Sequence, residues 1–288
     1  MRSFLFVPGD NEHMFKKACQ SEADALILDL EDSVALSAKE KARQVVQQSL
    51  QNKRTDQKWF VRVNDLDTGL TLDDLTAVMP YYPDGIVLPK VTGQKDIQQL
   101  DYYLQTYESV HQRAKNSTLV IGIATENARA VLSLPSFDKY APKRLYGLMW
   151  GGEDLAGSLG ALRNKEKGSY TSPFVLARDL CLMAAAAAGV VAIDSICADI
   201  RNLPMVEQEA SQAKRDGFSA KAVIHPSHLQ VVNQVFTPTS NEVSWAQKVI
   251  DAFTQNPDLG VVNIDGQMID KPHERIAKNI ISRAQNSS

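Results

Sequence analysis

The stretch Leu145-Tyr-Gly-Leu-Met-Trp-Gly-Gly-Glu-Asp-Leu155 runs from apolar residues into a double glycine and then into two carboxylates. A buried strand that delivers acids at its C-terminal end is the layout of a parallel α/β site. The same pattern stands one unit upstream, in Leu119-Val-Ile-Gly-Ile-Ala-Thr-Glu126. Glu126 and Asp154 are 28 residues apart, about one strand–helix–strand step, and neighbouring parallel strands lie roughly 4.8 Å apart. The two acids are therefore placed to face one ion. Spacing alone leaves the other reading open, in which both are loop acids at the surface.

Outward from this stretch, short apolar runs bounded by turn signals alternate with segments of helical spacing. The runs are Ser3–Val7, Ala25–Leu30, Lys58–Val63, Asp84–Leu88, Ser117–Ile123, Arg144–Trp150, Val190–Asp194 and Ala220–Ile224. Helices are expected at Asn11–Ser21, Ser37–Leu50, Leu72–Met79, Gln94–Tyr107, Asn127–Leu134, Phe174–Ala188, Met205–Asp216 and His228–Phe236. Strict alternation implies a parallel sheet with right-handed crossovers. Eight units close an α/β fold of the (β/α)8 TIM barrel type over residues 1–236, with catalysis at the C-terminal strand ends. An open doubly wound sheet is the alternative, but no G-x-G-x-x-G or P-loop follows any strand.

Residues 237–288 lie outside the eight-unit count. A capping loop at Thr237-Pro-Thr-Ser-Asn241 leads into a helix over Glu242–Phe253. An extended piece at Val261–Ile264, a turn at Asp265-Gly266 and an amphipathic helix over Pro272–Ala284 follow, and the Gln285–Ser288 tail is expected to be disordered. This C-terminal extension must pack on the barrel, on a neighbouring subunit or over the site as a lid.

The bulk properties narrow the function. A net charge of −3 and a pI near 6.0 argue against nucleic acid and membrane surfaces as partners. The first apolar run is too short for a signal peptide, and no segment reaches the ~20 apolar residues of a membrane span. Cys19, Cys181 and Cys197 are odd in number and lack metal spacing, which fits a reduced, cytoplasmic setting. Cys181 and Cys197 read as small core residues.

The strand ends collect Asp29, Glu31, Asp32, Arg62, Asn64, Lys90, Glu126, Glu153, Asp154, Asp194 and His225. There is no Ser/His/Asp or Cys/His set, and no lysine in an apolar pocket to form a Schiff base. Two carboxylates plus water suit Mg²⁺, which leaves room for substrate oxygens. An arginine across the site suits a substrate carboxylate, so metal and Arg62 together would bind a 2-keto or 2-hydroxy acid. Arg62 reads equally as an ion-pair partner. Only one of the adjacent Glu153 and Asp154 is expected to face the centre. Asp29, Glu31 and Asp32 read as hydrogen-bonding supports of the site, Lys90 as a neutraliser of a neighbouring acid, and His225 as a satisfied strand-end histidine. Asp194 reads either way; His13, His111 and His228 read as surface or helix residues.

Eight stretches resemble one family in this order and at these distances. They are Arg2-Ser-Phe-Leu-Phe-Val-Pro-Gly9, Asp29-Leu-Glu-Asp-Ser-Val34, Val61-Arg-Val-Asn64, Leu88-Pro-Lys90, Thr125-Glu-Asn-Ala-Arg-Ala-Val131, Gly151-Gly-Glu-Asp-Leu155, Ala187-Ala-Gly189 and Gly217-Phe-Ser-Ala-Lys-Ala-Val-Ile-His-Pro226. The chain resembles, over nearly all its length, the citrate lyase β-subunit-like proteins of the HpcH/HpaI aldolase/citrate lyase superfamily. The resemblance implies a barrel that assembles as a homotrimer or a multiple of it. It also implies Mg²⁺ on Glu126 and Asp154, and the substrate carboxylate on Arg62 with Glu126 in the substrate site. Asp270, in Gly266-Gln-Met-Ile-Asp270, matches an acid–base residue that a lid supplies to the neighbouring subunit. One departure is Ala220, where relatives carry glycine.

The reaction implied is Mg²⁺-dependent carbon–carbon cleavage of a 3-hydroxyacyl thioester (citramalyl-CoA, malyl-CoA or citryl-CoA) to acetyl-CoA and a 2-keto acid. Two alternatives stand beside it. One is a malate synthase-like condensation with thioester hydrolysis on the same site. The other is a citrate lyase subunit that docks an acyl carrier and has no activity alone. Lys16, Lys17 and Lys90 are the basic residues near strand ends that could meet phosphate.

Overall fold

Eight parallel strands of four to six residues close on themselves. In chain order they are β1 (Ser3–Pro8), β2 (Ala25–Asp29), β3 (Lys58–Arg62), β4 (Gly85–Leu88), β5 (Leu119–Ile123), β6 (Leu145–Met149), β7 (Val191–Asp194) and β8 (Ala220–Val223). Each pairs with the next, and β8 pairs with β1 through Ser3 and Lys221. The fold is therefore the (β/α)8 barrel. The computed structural model describes residues 1–52, 56–138 and 140–285.

The apolar runs form strands because both faces of each are buried. Phe4, Ile27, Phe60, Val87, Ile121, Met149 and Ile193 fill the barrel interior. Their neighbours Leu5, Leu26, Leu28, Val61, Ile86 and Leu148 face the outer helices. Alternate residues of a strand point to opposite faces, so unbroken hydrophobicity is what a barrel strand requires. Gly85 serves this packing: a Cβ there would sit 2.3 Å from the Phe60 ring that fills the interior. Ala220, the departure noted above, lies inside the barrel with Ala222, where its methyl adds to the packing.

The outer layer consists of α1 (Glu12–Ala18), α2 (Lys39–Gln51), α3 (Thr71–Val78), α4 (Gln94–Val110), α5 (Ala128–Ser133), α6 (Glu153–Leu159), α7 (Ser172–Ala188), α8 (Leu203–Asp216) and α9 (Leu229–Phe236). Gly189 ends α7 in the left-handed region (φ 70°), as expected of a glycine C-cap. Two elements escaped the sequence reading. The helix α6 starts at the acids themselves, and its seven residues contain two glycines-flanked turns too short for a periodic signal. A two-residue ribbon, Lys165–Glu166 against Ser169–Tyr170, precedes α7.

Beyond α9, α10 (Ser240–Gln255) begins with a capping box between Thr239 and Glu242. The antiparallel hairpin of β9 (Val261–Ile264) and β10 (Gln267–Asp270) follows. It turns at Asp265 (φ 52°) and Gly266 (φ 83°), the conformation Asp-Gly favours. Residues 267–270, read only as an apolar step carrying an acid, are thus a strand. The last helix, α11, spans Lys271–Gln285, so Gln285 is helical, and residues 286–288 of the expected tail lie outside the described residues. Ala246, Val249, Phe253, Val262, Ile269 and Ala277 give this extension a core of its own. Among the described residues no helix is long and apolar enough to cross a membrane.

Candidate active site

At the C-terminal mouth of the barrel lies a cavity of about 500 Å³. Its walls are mostly apolar, with Val7, Ile123, Met149 and Ile196 among them. Arg62, Glu126 and Asp154 all border it, together with Asp29 and Asp32. The parallel register explains the convergence: Asp29 is level with Arg62, and Ile123 with Met149, so equivalent positions past each strand end meet at one height.

Glu126 is 4% exposed. It accepts a hydrogen bond from the backbone N–H of Lys90, which that residue's left-handed conformation (φ 53°) aims across the mouth. Burial pushes the Glu126 carboxyl up to about 8; the nearby negative charges of Glu31 and Asp154 add to this, against the Lys90 N–H and the Arg62 charge. A buried acid repelled by two others is a site short of positive charge. Among the described residues no group of three or more His, Cys, Asp or Glu side chains is arranged to hold a metal. A cation here would have two carboxylates and take its other oxygens from water and substrate, the coordination that suits Mg²⁺.

Arg62 is held on its barrel side. Its Nε and Nη2 donate to the two oxygens of Asp29, both at 2.7 Å, and Nη1 lies 2.9 Å from Glu31. Burial opposes its charge, but Asp29, Glu31 and Glu126 hold its pKa above the ordinary value. Asp29 lies below the ordinary carboxylate range: its own burial works against ionisation, and Arg62 and the Ser33 and Glu31 N–H groups outweigh it. Three of the five guanidinium N–H donors are thereby used, and two remain for a ligand. The ion-pair reading of Arg62 is realised, and the residue also borders the cavity.

Lys90 neutralises acids, as its position at the strand end suggested. Its Nζ is 2.7 Å from Glu31 and 3.5 Å from Asp32. Glu31 therefore bridges Arg62 and Lys90, a junction the sequence reading treated only as support. Asp154 and Glu153 both sit in the first turn of α6. Asn164 Nδ2 donates to Glu153 at 2.7 Å, yet Glu153 borders the cavity as Asp154 does, so the expectation that only one of the two faces it is not met. Asp194 is structural: it accepts from Trp150 Nε1 and Lys221 Nζ, each at 2.7 Å, among buried groups. His225 Nδ1 is paired with Ser227. His228 is not a surface residue; it is fully buried, with Nε2 3.1 Å from the Ile200 carbonyl. Cys181 and Cys197 are buried, as expected of core residues.

Two contributors were missed, His13 and Met14 of α1; they border the cavity together with Lys17, which the sequence had offered as a phosphate partner, whereas Lys16 pairs with Glu12 at 2.7 Å. Their i, i+1, i+4 spacing behind Asn11, the N-cap, was the available signal. Asp270 is not among the residues around this cavity. It lies at the end of β10, where it accepts a hydrogen bond from His273 Nδ1 that holds it below the ordinary carboxylate range.

A closed parallel barrel whose mouth gathers acids and an ion-paired arginine around a cavity is the frame of a barrel enzyme. Residues 2–226 match the family described as HpcH/HpaI aldolase/citrate lyase. Over 287 residues the chain is 34% identical to the citrate lyase subunit beta of Escherichia coli (strain K12), covering 99% of this chain and 93% of that one. It is 31% identical over 298 residues to the mitochondrial citramalyl-CoA lyase of Rattus norvegicus, covering 98% and 86% respectively. Among solved structures, CitE from Mycobacterium tuberculosis in complex with magnesium, acetoacetate and coenzyme A matches with a TM-score of 0.76 at 28% identity, over 99% of this chain and 98% of that one. The chain belongs to the HpcH/HpaI aldolase/citrate lyase family and is an enzyme of the lyase class found there.

Proposed function

We propose that this enzyme is a Mg²⁺-dependent lyase that cleaves a 3-hydroxyacyl thioester with a terminal carboxylate, of the citramalyl-CoA, malyl-CoA or citryl-CoA type, to an acetyl thioester and a 2-keto acid. The observation that carries this reading is Glu126, a buried acid held beside Glu31 and Asp154 that borders, with Arg62, an apolar cavity at the barrel mouth. Similarity to the rat citramalyl-CoA lyase, and to a structure containing magnesium and coenzyme A, supports it.

Glu126 and Asp154 would hold the ion, which when bound draws electron density from the substrate's carbonyl or hydroxyl oxygen. The two remaining N–H groups of Arg62 would receive the substrate carboxylate, with Asp29 and Glu31 fixing the guanidinium plane. Lys90 keeps Glu31 and Asp32 neutralised and its amide orients Glu126. A base would take the hydroxyl proton, and cleavage of the adjacent carbon–carbon bond would release the keto acid and leave the bond's electron pair on the acetyl thioester as its enolate. Asp270 would then transfer a proton to the acetyl carbon. Because Asp270 lies away from its own chain's cavity, we assign it to the neighbouring copy's site, with residues 237–288 as the lid and a homotrimer as the assembly. Lys17 and His13 at the rim suit the phosphates of the carrier arm.

The test is a coupled assay for keto-acid release from the three thioesters, with Mg²⁺ and with EDTA. Metal-dependent turnover of one of them is expected. Release of free CoA without an acetyl thioester would replace the lyase with a thioesterase. Turnover only with an acyl-carrier thioester would favour the citrate lyase subunit reading, to which the E. coli relative lends support.

A further inference from the structure

The ladder between β5 and β6 ends with Ala124 N–H donating to the Met149 carbonyl at 2.9 Å. Beyond that rung the two backbones no longer pair as strands, yet each still has to deliver an acid: Glu126 on one side, Asp154 on the other. The next link is a side chain. Thr125 is fully buried, and its Oγ1 accepts from the Gly151 N–H at 2.8 Å and donates to the Gly151 carbonyl at 3.2 Å. One hydroxyl thus stands in for a rung, using both its donor and its acceptor capacity on a single residue.

The clamped residue is itself pressed against the acid. A Cβ at Gly151 would lie 3.0 Å from Glu126 Cγ, so the Gly151 backbone is the surface on which the Glu126 side chain rests. Gly151 is followed by Gly152, the N-cap of α6, and Asp154 sits in that helix's first turn. Thr125 is the residue immediately before Glu126. The hydroxyl therefore ties the start of one acid-bearing segment to the start of the other. Further out, the next tie is Ala128 N–H to Ser158 Oγ at 3.2 Å, at an exposed position.

We propose that Thr125 is a positioning residue for the metal: its hydroxyl, by holding Gly151, sets the separation of Glu126 and Asp154. This rests on the reading of those two acids as the Mg²⁺ pair. Thr125→Val keeps the side chain's shape and deletes both bonds, leaving the Gly151 N–H and carbonyl to find other partners by shifting residues 151–154. Groups that orient metal ligands in this way change affinity by roughly 10–100-fold when removed.

Mn²⁺ binding to the protein without substrate, followed by electron paramagnetic resonance, tests this apart from turnover, with the melting temperature of the metal-free protein measured in parallel. The expected result is a Kd at least about tenfold weaker for Thr125→Val and within about threefold of the parent for Thr125→Ser, which retains the hydroxyl. Thr125→Ala, also without the hydroxyl, carries the same expectation if the valine variant does not fold. A Thr125→Val protein that melts lower but binds Mn²⁺ as the parent does would reduce Thr125 to a fold residue and overturn the proposal. Glu126→Gln and Asp154→Asn serve as references. Loss of Mn²⁺ in both, without loss in Thr125→Val, refutes the clamp alone. Parental binding in both refutes the metal pair and the clamp with it.

Discussion

Replacing Glu126 by glutamine should make the metal-free protein more stable at alkaline pH while removing its response to magnesium. The native carboxyl titrates near 8 and the unstructured one near 4.5. Between those values the folded protein holds a proton that the unfolded chain has released. Stability of the metal-free parent therefore falls as pH rises from about 4.5 to about 8, and is flat on either side. At about 1.4 kcal/mol per pH unit the interval sets a ceiling of about 5 kcal/mol. Water at the cavity mouth and reorientation of Lys90 and Arg62 bring the expected cost to about 2–3 kcal/mol. Glutamine keeps the acceptor for the Lys90 N–H but carries no charge, so it avoids this cost.

For a chain of this size about 1 kcal/mol corresponds to a shift of about 2–4 °C. Thermal melts in EDTA should show Glu126→Gln about 4–12 °C above the parent at pH 9 and nearly coincident with it at pH 5. Millimolar Mg²⁺ should raise the parent at pH 9 and leave the variant unchanged, because binding only to the native state stabilises it by mass action. The reasoning fails if the variant melts below the parent at pH 9, or if magnesium raises both equally. The first result would mean that the carboxylate is already compensated; the second would place the ion elsewhere.

Two further substitutions probe the rest of the site. Arg62→Lys retains a charge but loses the fork that meets Asp29 at two points; it should cost about 3–5 kcal/mol in a denaturant titration and weaken keto-acid binding at least tenfold by calorimetry, and an unchanged midpoint would contradict the pairing. Asp270→Ala should lower kcat by about 10²–10⁴ with little change in the KM for the thioester, and should abolish exchange of the acetyl methyl protons with deuterated water; undiminished exchange would remove Asp270 from the chemistry.

The barrel was legible because its strands need two apolar faces: runs such as Ala25–Leu30 and Ser117–Ile123 have no polar face to hide. Strand counting then placed every acid at a chain position, and the common height of the strand ends brought Glu126, Asp154 and Arg62 to one cavity. What stayed hidden depends on side-chain direction. Lys221 sits within Ala220-Lys-Ala-Val223, and alternation sends it outward, where it lies 1% exposed against Asp194 and Glu209. Nothing in the one-dimensional pattern distinguishes that lysine from an edge residue. His228 stands at the start of a short helix as read, but its burial was hidden for the same reason: it looks exposed until the loop carrying Ile200 is placed over it. The helix α6 was missed because seven residues are too few to establish a period, although its glycines mark both of its ends.

The charge distribution explains why the mouth calls for a metal as well as an arginine. Had Arg62 been free, it could by itself have met the carboxylate of a keto acid. Instead Asp29 and Glu31 occupy three of its donors and most of its charge, and Lys90 is divided between Glu31 and Asp32. Arg62 and Lys90 are paired with Asp29, Glu31 and Asp32, and the Arg62 charge offsets only part of what raises Glu126. An incoming anionic substrate would add to that deficit. A divalent cation between the two acids removes the repulsion that raises Glu126 and supplies the attraction that Arg62 cannot give alone. On this argument metal binding should precede substrate binding. Keto acid should bind measurably to the magnesium-loaded protein and at least tenfold more weakly in EDTA, by calorimetry on the same sample. Equal affinity in both conditions would mean that Arg62 retains enough free charge to bind the anion unaided.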